Sequence, residues 1–127
     1  NLRSDSHTMS DSNPRETFTY AARELGRRRI AFLVARESLD APRIGPEVRA
    51  AFGGVYVAND KFTFETAEQV LAAGEADAVA FGKLFIANPD LVERYRLKAP
   101  LNAWDSATFY SSGPKGYVDY PTLQSAA

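Results

Sequence analysis

The chain has 127 residues, of which 45% are hydrophobic and 24% charged, and a formal net charge of −1. This is the composition of one ordinary globular domain, with no overall electrostatic case for nucleic acid or an anionic membrane surface. There is no cysteine and only one histidine, which excludes disulfides, thiolate chemistry and a multi-histidine metal site. No apolar run approaches the roughly 20 residues that a membrane-spanning helix needs. The lack of cysteine fits a cytoplasmic protein.

The first clear element is a helix that starts at Asn13. Asn13 is expected to be the N-cap, with Pro14 at the first helical position and Glu16 at the third. Gly26 is expected to stop the helix, and the arginines at 27–29 place positive charge at its C-terminal end. We interpret these arginines as a solvated helix end, because the rest of the chain carries no matching basic stripe.

Three short apolar runs predict buried strands, at residues 30–34, 55–58 and 78–81. A short helix at residues 47–52 lies between the first two strands. A second helix, capped by Thr63 and stopped by Gly74, lies between the last two. This alternation predicts parallel βα units. Three parallel strands bury little surface and leave two open edges, so the pattern suggests part of a larger α/β unit.

The end of the third run predicts a ligand site. Gly82 follows the run, where a missing Cβ lets backbone approach a ligand, and Lys83 follows at once. A cation at the carboxyl end of a parallel strand suits an anion such as phosphate; a solvated loop cation is the alternative. Asn88 and Pro89 then predict the start of a helix that ends near Leu97.

Arg36 and Glu37 follow the first predicted strand, at another carboxyl end where functional residues concentrate. An ion pair that holds the loop is the equal alternative. From residue 99 onward the periodicity is lost, and the chain becomes rich in aromatic and turn residues. We expect residues 1–99 to form the βα units and residues 100–127 to form an ordered C-terminal tail. The tail should pack on the domain, because its large aromatic side chains need apolar cover.

Several stretches together resemble the Old Yellow Enzyme family of FMN-dependent ene-reductases, an NADH:flavin oxidoreductase family. The similarity is greatest to its xenobiotic reductase and N-ethylmaleimide reductase branch. The most specific combination is FIANPDLV at residues 85–92 with GYVDYP at residues 116–121. The other stretches are residues 5–9, 11–14, 22–26, 78–82 and 108–110. The resemblance covers essentially the whole chain.

The resemblance implies an α/β fold that is the C-terminal portion of a (β/α)8 TIM barrel, supplying about strands six to eight. The N-terminal remainder of the same barrel would then be a partner. That remainder would carry the proton-donor tyrosine, the substrate clamp and the flavin-contacting arginine, so no catalytic residue is expected in this chain. Asn1 and Leu2 stand where the family has Ser-Pro.

The resemblance also assigns cofactor-binding positions. Asn59 and Asp60 match residues after the seventh strand, and Gly82 and Lys83 match residues after the eighth, where the family binds the FMN phosphate. The family usually has arginine at Lys83, so the cation here would be a point charge rather than a fork. The anionic Asp60 is compatible with a phosphate only if its side chain turns away. Tyr110 matches a tyrosine that borders the substrate pocket; a core tyrosine is the alternative.

The activity implied is that of an FMN-dependent oxidoreductase. It would pass hydride from NADPH or NADH through FMN to a small-molecule substrate, an activated alkene or a nitro compound. The alternative is a catalytically incomplete fragment, or a structural half-barrel that binds at most a phosphate. In both cases we expect the isolated chain to be inactive, with no metal, nucleic acid or membrane as partner.

Overall fold

The computed structural model describes Leu2, residues 11–39 and residues 42–123. The stretch at residues 5–9, with His7, lies outside the described residues, as do Asn1 and the last four positions. The chain divides into two compact units, Asn1–Ala80 and Phe81–Ala127. Within residues 11–39 and 42–123, no helix has the length and apolarity that crossing a bilayer requires.

The described part of the first unit alternates three helices with three parallel strands. In chain order they are α1 (Pro14–Arg27), β1 (Phe32–Arg36), α2 (Gly45–Phe52), β2 (Val55–Asn59), α3 (Phe64–Ala72) and β3 (Ala78–Ala80). The sheet order is β1-β2-β3, and both strand pairs are parallel. The predicted parallel βα units are therefore confirmed.

The two faces of this sheet differ in their cover. Side chains alternate along a strand, so each strand contributes to both faces. One face carries Tyr56 and Ala58 of β2, which are buried. The opposite face carries Phe32, Val34 and Val55, whose exposed fractions are 54%, 49% and 49%. Within the described residues this second face, which we name the uncovered face, remains an apolar surface in contact with solvent.

Helix α1 begins as predicted and ends differently. Asn13 is the N-cap, and its side-chain oxygen accepts a hydrogen bond from the Glu16 N–H at 3.4 Å. The prediction that Gly26 stops the helix is wrong, because α1 continues to Arg27. A Cβ at Gly26 would overlap the Phe52 carbonyl of α2. The glycine therefore permits close packing of α1 against α2.

Strand β1 is shifted by two residues from the predicted run at 30–34. Arg29 has a φ of +54°, and its N–H donates to the Gly26 carbonyl at 2.9 Å, so the chain is still turning out of α1 at that point. Pairing with β2 starts at Phe32 and continues to the Arg36–Asn59 partners. The strand ends are set by this backbone ladder and not by the apolarity of the side chains.

The second unit contains two short helices, α4 (Lys83–Ala87) and α5 (Leu91–Leu97), followed by a tail of turns. Helix α4 is not anticipated by the sequence pattern. The predicted helix start at Asn88 and Pro89 is wrong, because α5 begins after Asp90, which occupies the N-cap position.

The side chain of Asn88 explains that difference. Asn88 is fully buried and forms the C-cap of α4. Its Nδ2 donates to the Leu84 carbonyl at 2.9 Å, and its Oδ1 accepts from the Asn102 N–H at 2.7 Å. The amide that the sequence pattern assigns to a helix cap therefore ties α4 to the tail.

Candidate functional site

The site residues expected from the sequence lie in both units. Asn59 is the last residue of β2 and Asp60 follows it, in the first unit. In the second unit, Gly82 is the N-cap residue of α4, Lys83 is the first residue of that helix, and Tyr110 lies in the tail. Asn59 and Asp60 thus lie at the carboxyl end of β2, and Gly82 and Lys83 come after the carboxyl end of β3. The carboxyl ends of parallel strands form the edge of α/β folds where ligands bind.

The side chain of Asn59 has a structural role. Its Nδ2 donates to the Ala80 carbonyl at 2.7 Å, and Ala80 is its register partner on β3. The Asn59 carbonyl accepts the Glu37 N–H at 3.0 Å. Asn59 therefore fixes the carboxyl end of β2 to both neighbouring strand ends.

Asp60 lies in a strained turn and is paired. Asp60 and Lys61 have successive positive φ values of 118° and 56°, a conformation that residues with side chains adopt at a cost. The Asp60 carboxylate is only 7% exposed, and its Oδ1 lies 3.4 Å from Nη2 of Arg36 on β1. The carboxylate thus has a cationic partner on the neighbouring strand.

Open space adjoins Gly82. A Cβ built at this position would meet no atom within 4 Å, and Gly82 and Lys83 are both exposed. The Gly82 φ is −93°, so the backbone conformation alone does not require glycine there. What the missing side chain provides is room for another molecule to approach the main chain. The residues present are thus compatible with a phosphate group beside a lysine.

Tyr110 is 95% exposed in the tail. Within the described residues its ring is therefore not packed in a core, and its place at a substrate pocket stays a prediction. Its ring and its hydroxyl are available to border a binding pocket.

The structure separates Arg36 from Glu37, which the sequence pattern treats as one pair. Glu37 is buried, and its two carboxylate oxygens accept the N–H groups of Ile44 and Gly45 at 2.7 and 2.8 Å. It thereby satisfies free N–H groups at the start of α2. No local spacing signals this cap, because Glu37 lies seven and eight residues before its partners whereas a capping box spans three.

Comparison with known proteins gives consistent relatives, although no family model matches the sequence. A probable flavin mononucleotide-dependent alkene reductase from Leishmania infantum is 43% identical over 118 residues, which cover 91% of this chain and 32% of that protein. A 12-oxophytodienoate reductase-like protein from Solanum lycopersicum is 36% identical over 119 residues, covering 92% and 34%.

Solved structures agree with these relatives. The Old Yellow Enzyme homologue from Zymomonas mobilis has a TM-score of 0.84 at 45% identity, covering 89% of this chain and 34% of that one. Morphinone reductase has a TM-score of 0.83 at 38% identity, covering 92% and 33%. The chain thus spans about a third of the length of the proteins it matches.

The fold and these comparisons identify the chain as part of a TIM barrel, which confirms the predicted fold class. The chain is similar to the Old Yellow Enzyme homologues and the 12-oxophytodienoate reductases, as its motifs indicated. Two points stay predictions: the assignment of β1–β3 to barrel strands six to eight, and the boundary between residues 1–99 and the tail.

Proposed function

We propose that this chain forms the FMN-phosphate side of an FMN-dependent ene-reductase. The enzyme would be complete when the chain is combined with the N-terminal remainder of the same barrel, an assembly that we name the complete barrel. The names of the relatives support the reaction class. The observation that carries the proposal is the open space at Gly82 beside the exposed Lys83, two residues after the end of β3.

The residues of this chain would bind and orient the cofactor. Gly82 would let the phosphate approach the main chain, Lys83 would supply its positive charge, and Asn59 would hold the strand ends in place. Tyr110 would border the substrate. FMN, when bound, would supply hydride transfer from NADH or NADPH to an activated alkene or a nitro compound. The proton donor and the substrate clamp would come from the remainder of the barrel.

The uncovered face supports a missing remainder. Phe32, Val34 and Val55 present apolar side chains to solvent, whereas the inward side chains of a TIM barrel are packed in layers contributed by several strands. The remaining strands would cover this face and pair with the free edges of the sheet.

A cytoplasmic location and the inactivity of the isolated chain are further proposals.

A second candidate follows from the coverage of about a third. On that reading the chain is a catalytically incomplete fragment, or a structural half-barrel that binds at most a phosphate. It predicts that the purified protein has neither a partner chain that completes the barrel nor flavin absorbance.

The test is an FMN titration of the complete barrel and of its Lys83→Ala variant, with flavin fluorescence as the measure of binding. Loss of a charge-assisted contact worth roughly 1.5–3 kcal/mol should weaken FMN binding by about one to two decades. Lys83→Arg should retain tight binding. Lys115→Ala, which removes an exposed cation of the tail, is the matched control and should bind as wild type does. Unchanged affinity in Lys83→Ala would contradict the assignment, and a wild-type complete barrel without flavin would favour the second candidate.

A further inference from the structure

Arg36 stands at the carboxyl end of β1 on the uncovered face. Alternation along the strand places it on the same side of the sheet as Phe32 and Val34. The strand register makes it the partner of Asn59. Its side chain is 47% exposed. A half-exposed guanidinium therefore lies at the carboxyl edge of the sheet, beside Asn59 and Asp60.

The bonding of Arg36 differs from that of Arg49 and Arg94, two arginines whose guanidinium groups are held by several hydrogen bonds. Arg49 makes two hydrogen bonds to Asp77, at 3.2 and 2.7 Å. Arg94 makes three, to one carboxylate and two carbonyls. Within the described residues, Arg36 makes one long contact of 3.4 Å to Asp60. Since a guanidinium has five N–H donors in a planar fork, Arg36 retains donors for a second anion.

A phosphate can bind beside Asp60 only if a cation offsets the negative charge of the Asp60 carboxylate. The carboxylate is buried in the loop after β2, and a phosphate that binds this loop would be repelled by an uncompensated negative charge. Arg36 offsets that charge and leaves the fork accessible from the uncovered face.

We propose that Arg36 is a further phosphate-binding residue of the flavin site, shared between Asp60 and the ligand. The inference rests on the proposed function. It adds a cation from β1 to the two loops indicated by the resemblance. Arg36 would donate to a phosphate oxygen, in addition to neutralising Asp60.

The experiment compares FMN with riboflavin, which lacks the phosphate, in titrations of the complete barrel. Arg36→Gln should weaken FMN binding by about tenfold or more and leave riboflavin binding unchanged. Arg36→Lys should lie between wild type and Arg36→Gln. Arg15→Gln removes an exposed arginine paired with Glu47 on α2 and should not change either affinity. Near-ultraviolet circular dichroism is used to check that each variant is folded. If Arg36→Gln does not fold, the comparison of FMN with riboflavin in Arg36→Lys decides the test.

A double variant separates direct contact from simple neutralisation. If Arg36 contacts the phosphate, Asp60→Asn should not restore FMN binding to Arg36→Gln. Full rescue by Asp60→Asn, or equal losses of FMN and riboflavin, would overturn the inference. Wild-type FMN affinity in both Arg36 variants would overturn it as well, while leaving the proposed function intact. A wild-type complete barrel that binds no FMN would overturn both.

Discussion

Arg94 and Asp90 form an ion pair one turn apart at the start of α5, with Nε of Arg94 donating to Oδ1 of Asp90 at 2.7 Å. Arg94 is only 4% exposed. The same guanidinium donates to the carbonyls of Pro100 and Pro121 at 2.6 and 2.9 Å. The other carboxylate oxygen of Asp90 accepts the Leu123 N–H at 2.8 Å. One ion pair therefore holds Pro100 and residues 121–123, at the two ends of the described part of the tail.

The segment closed in this way carries Tyr110. Asn102 adds a second tie, because its Nδ2 donates to the Pro121 carbonyl at 2.8 Å. Within the loop, the Tyr120 hydroxyl accepts the Asp105 N–H at 2.9 Å. These bonds order a stretch that has no helix or strand, and they leave the Tyr110 ring exposed.

Arg94→Gln should destabilise the complete barrel far more than Arg96→Gln. Loss of Arg94 leaves the largely buried Asp90 carboxylate and two backbone carbonyls without their charged donor, at a cost of about 2 kcal/mol or more. Arg96 is an exposed arginine of the same helix that pairs with Glu93, and its loss should change little. Urea denaturation of both variants gives the free energies of unfolding. Equal values would show that the tail does not depend on the buried arginine.

Tyr56 should make the protein sensitive to alkali. The pKa of Tyr56 is raised from 10.0 to about 12, mainly because the phenol is buried. The negative charge of Glu37 raises the pKa further, and the positive charge of Arg43 partly offsets the increase. The unfolded phenol therefore loses its proton near pH 10 while the folded one keeps it to about pH 12. Between these values the unfolded state binds fewer protons, so the free energy of unfolding falls as pH rises, by about 3 kcal/mol in total.

The measurement is the free energy of unfolding of the complete barrel from pH 9 to 12, in wild type and in two variants. Tyr56→Phe removes the titrating group and should flatten this part of the profile. Tyr20→Phe, at an exposed tyrosine of α1, should keep the wild-type slope. The same slope in Tyr56→Phe would assign the alkaline loss to other groups.

Local patterns predicted the elements whose causes are local. Thr63 caps α3 as expected. Its Oγ1 accepts the Thr66 N–H at 3.3 Å, and the Thr66 Oγ1 accepts the Thr63 N–H at 2.9 Å. The apolar runs located all three strands. Asn88 has an equally good local signal, but its partner Asn102 lies fourteen residues later. A contact formed in the tertiary fold prevailed there over the propensity of the sequence.

The candidate site shows the same division. The positions of Gly82 and Lys83 after β3 follow from an apolar run that ends in glycine, and the resemblance added Asn59 and Asp60. The pairing of Asp60 with Arg36 depends on the parallel register of β1 and β2. That register brings together residues 24 positions apart, a relation that no local window contains.

The isolated 127-residue chain should self-associate. Its uncovered face exposes Phe32, Val34 and Val55, and an open parallel sheet has unpaired N–H and C=O groups along its edges. Burial can come from the remainder of the barrel or from another copy. We therefore expect the chain expressed alone to be oligomeric, aggregated or molten, and to fold cooperatively only when its complement is added.

Sedimentation velocity and near-ultraviolet circular dichroism at micromolar concentration test this expectation. Val34→Lys places a charge in the middle of the uncovered face, so it should reduce self-association of the isolated chain and also weaken its pairing with the complement. Tyr20→Lys is the matched control on α1, where the side chain is already exposed, and should change neither. A monodisperse wild-type monomer with a sharp thermal transition would refute the prediction, because the uncovered face would then be stable in water.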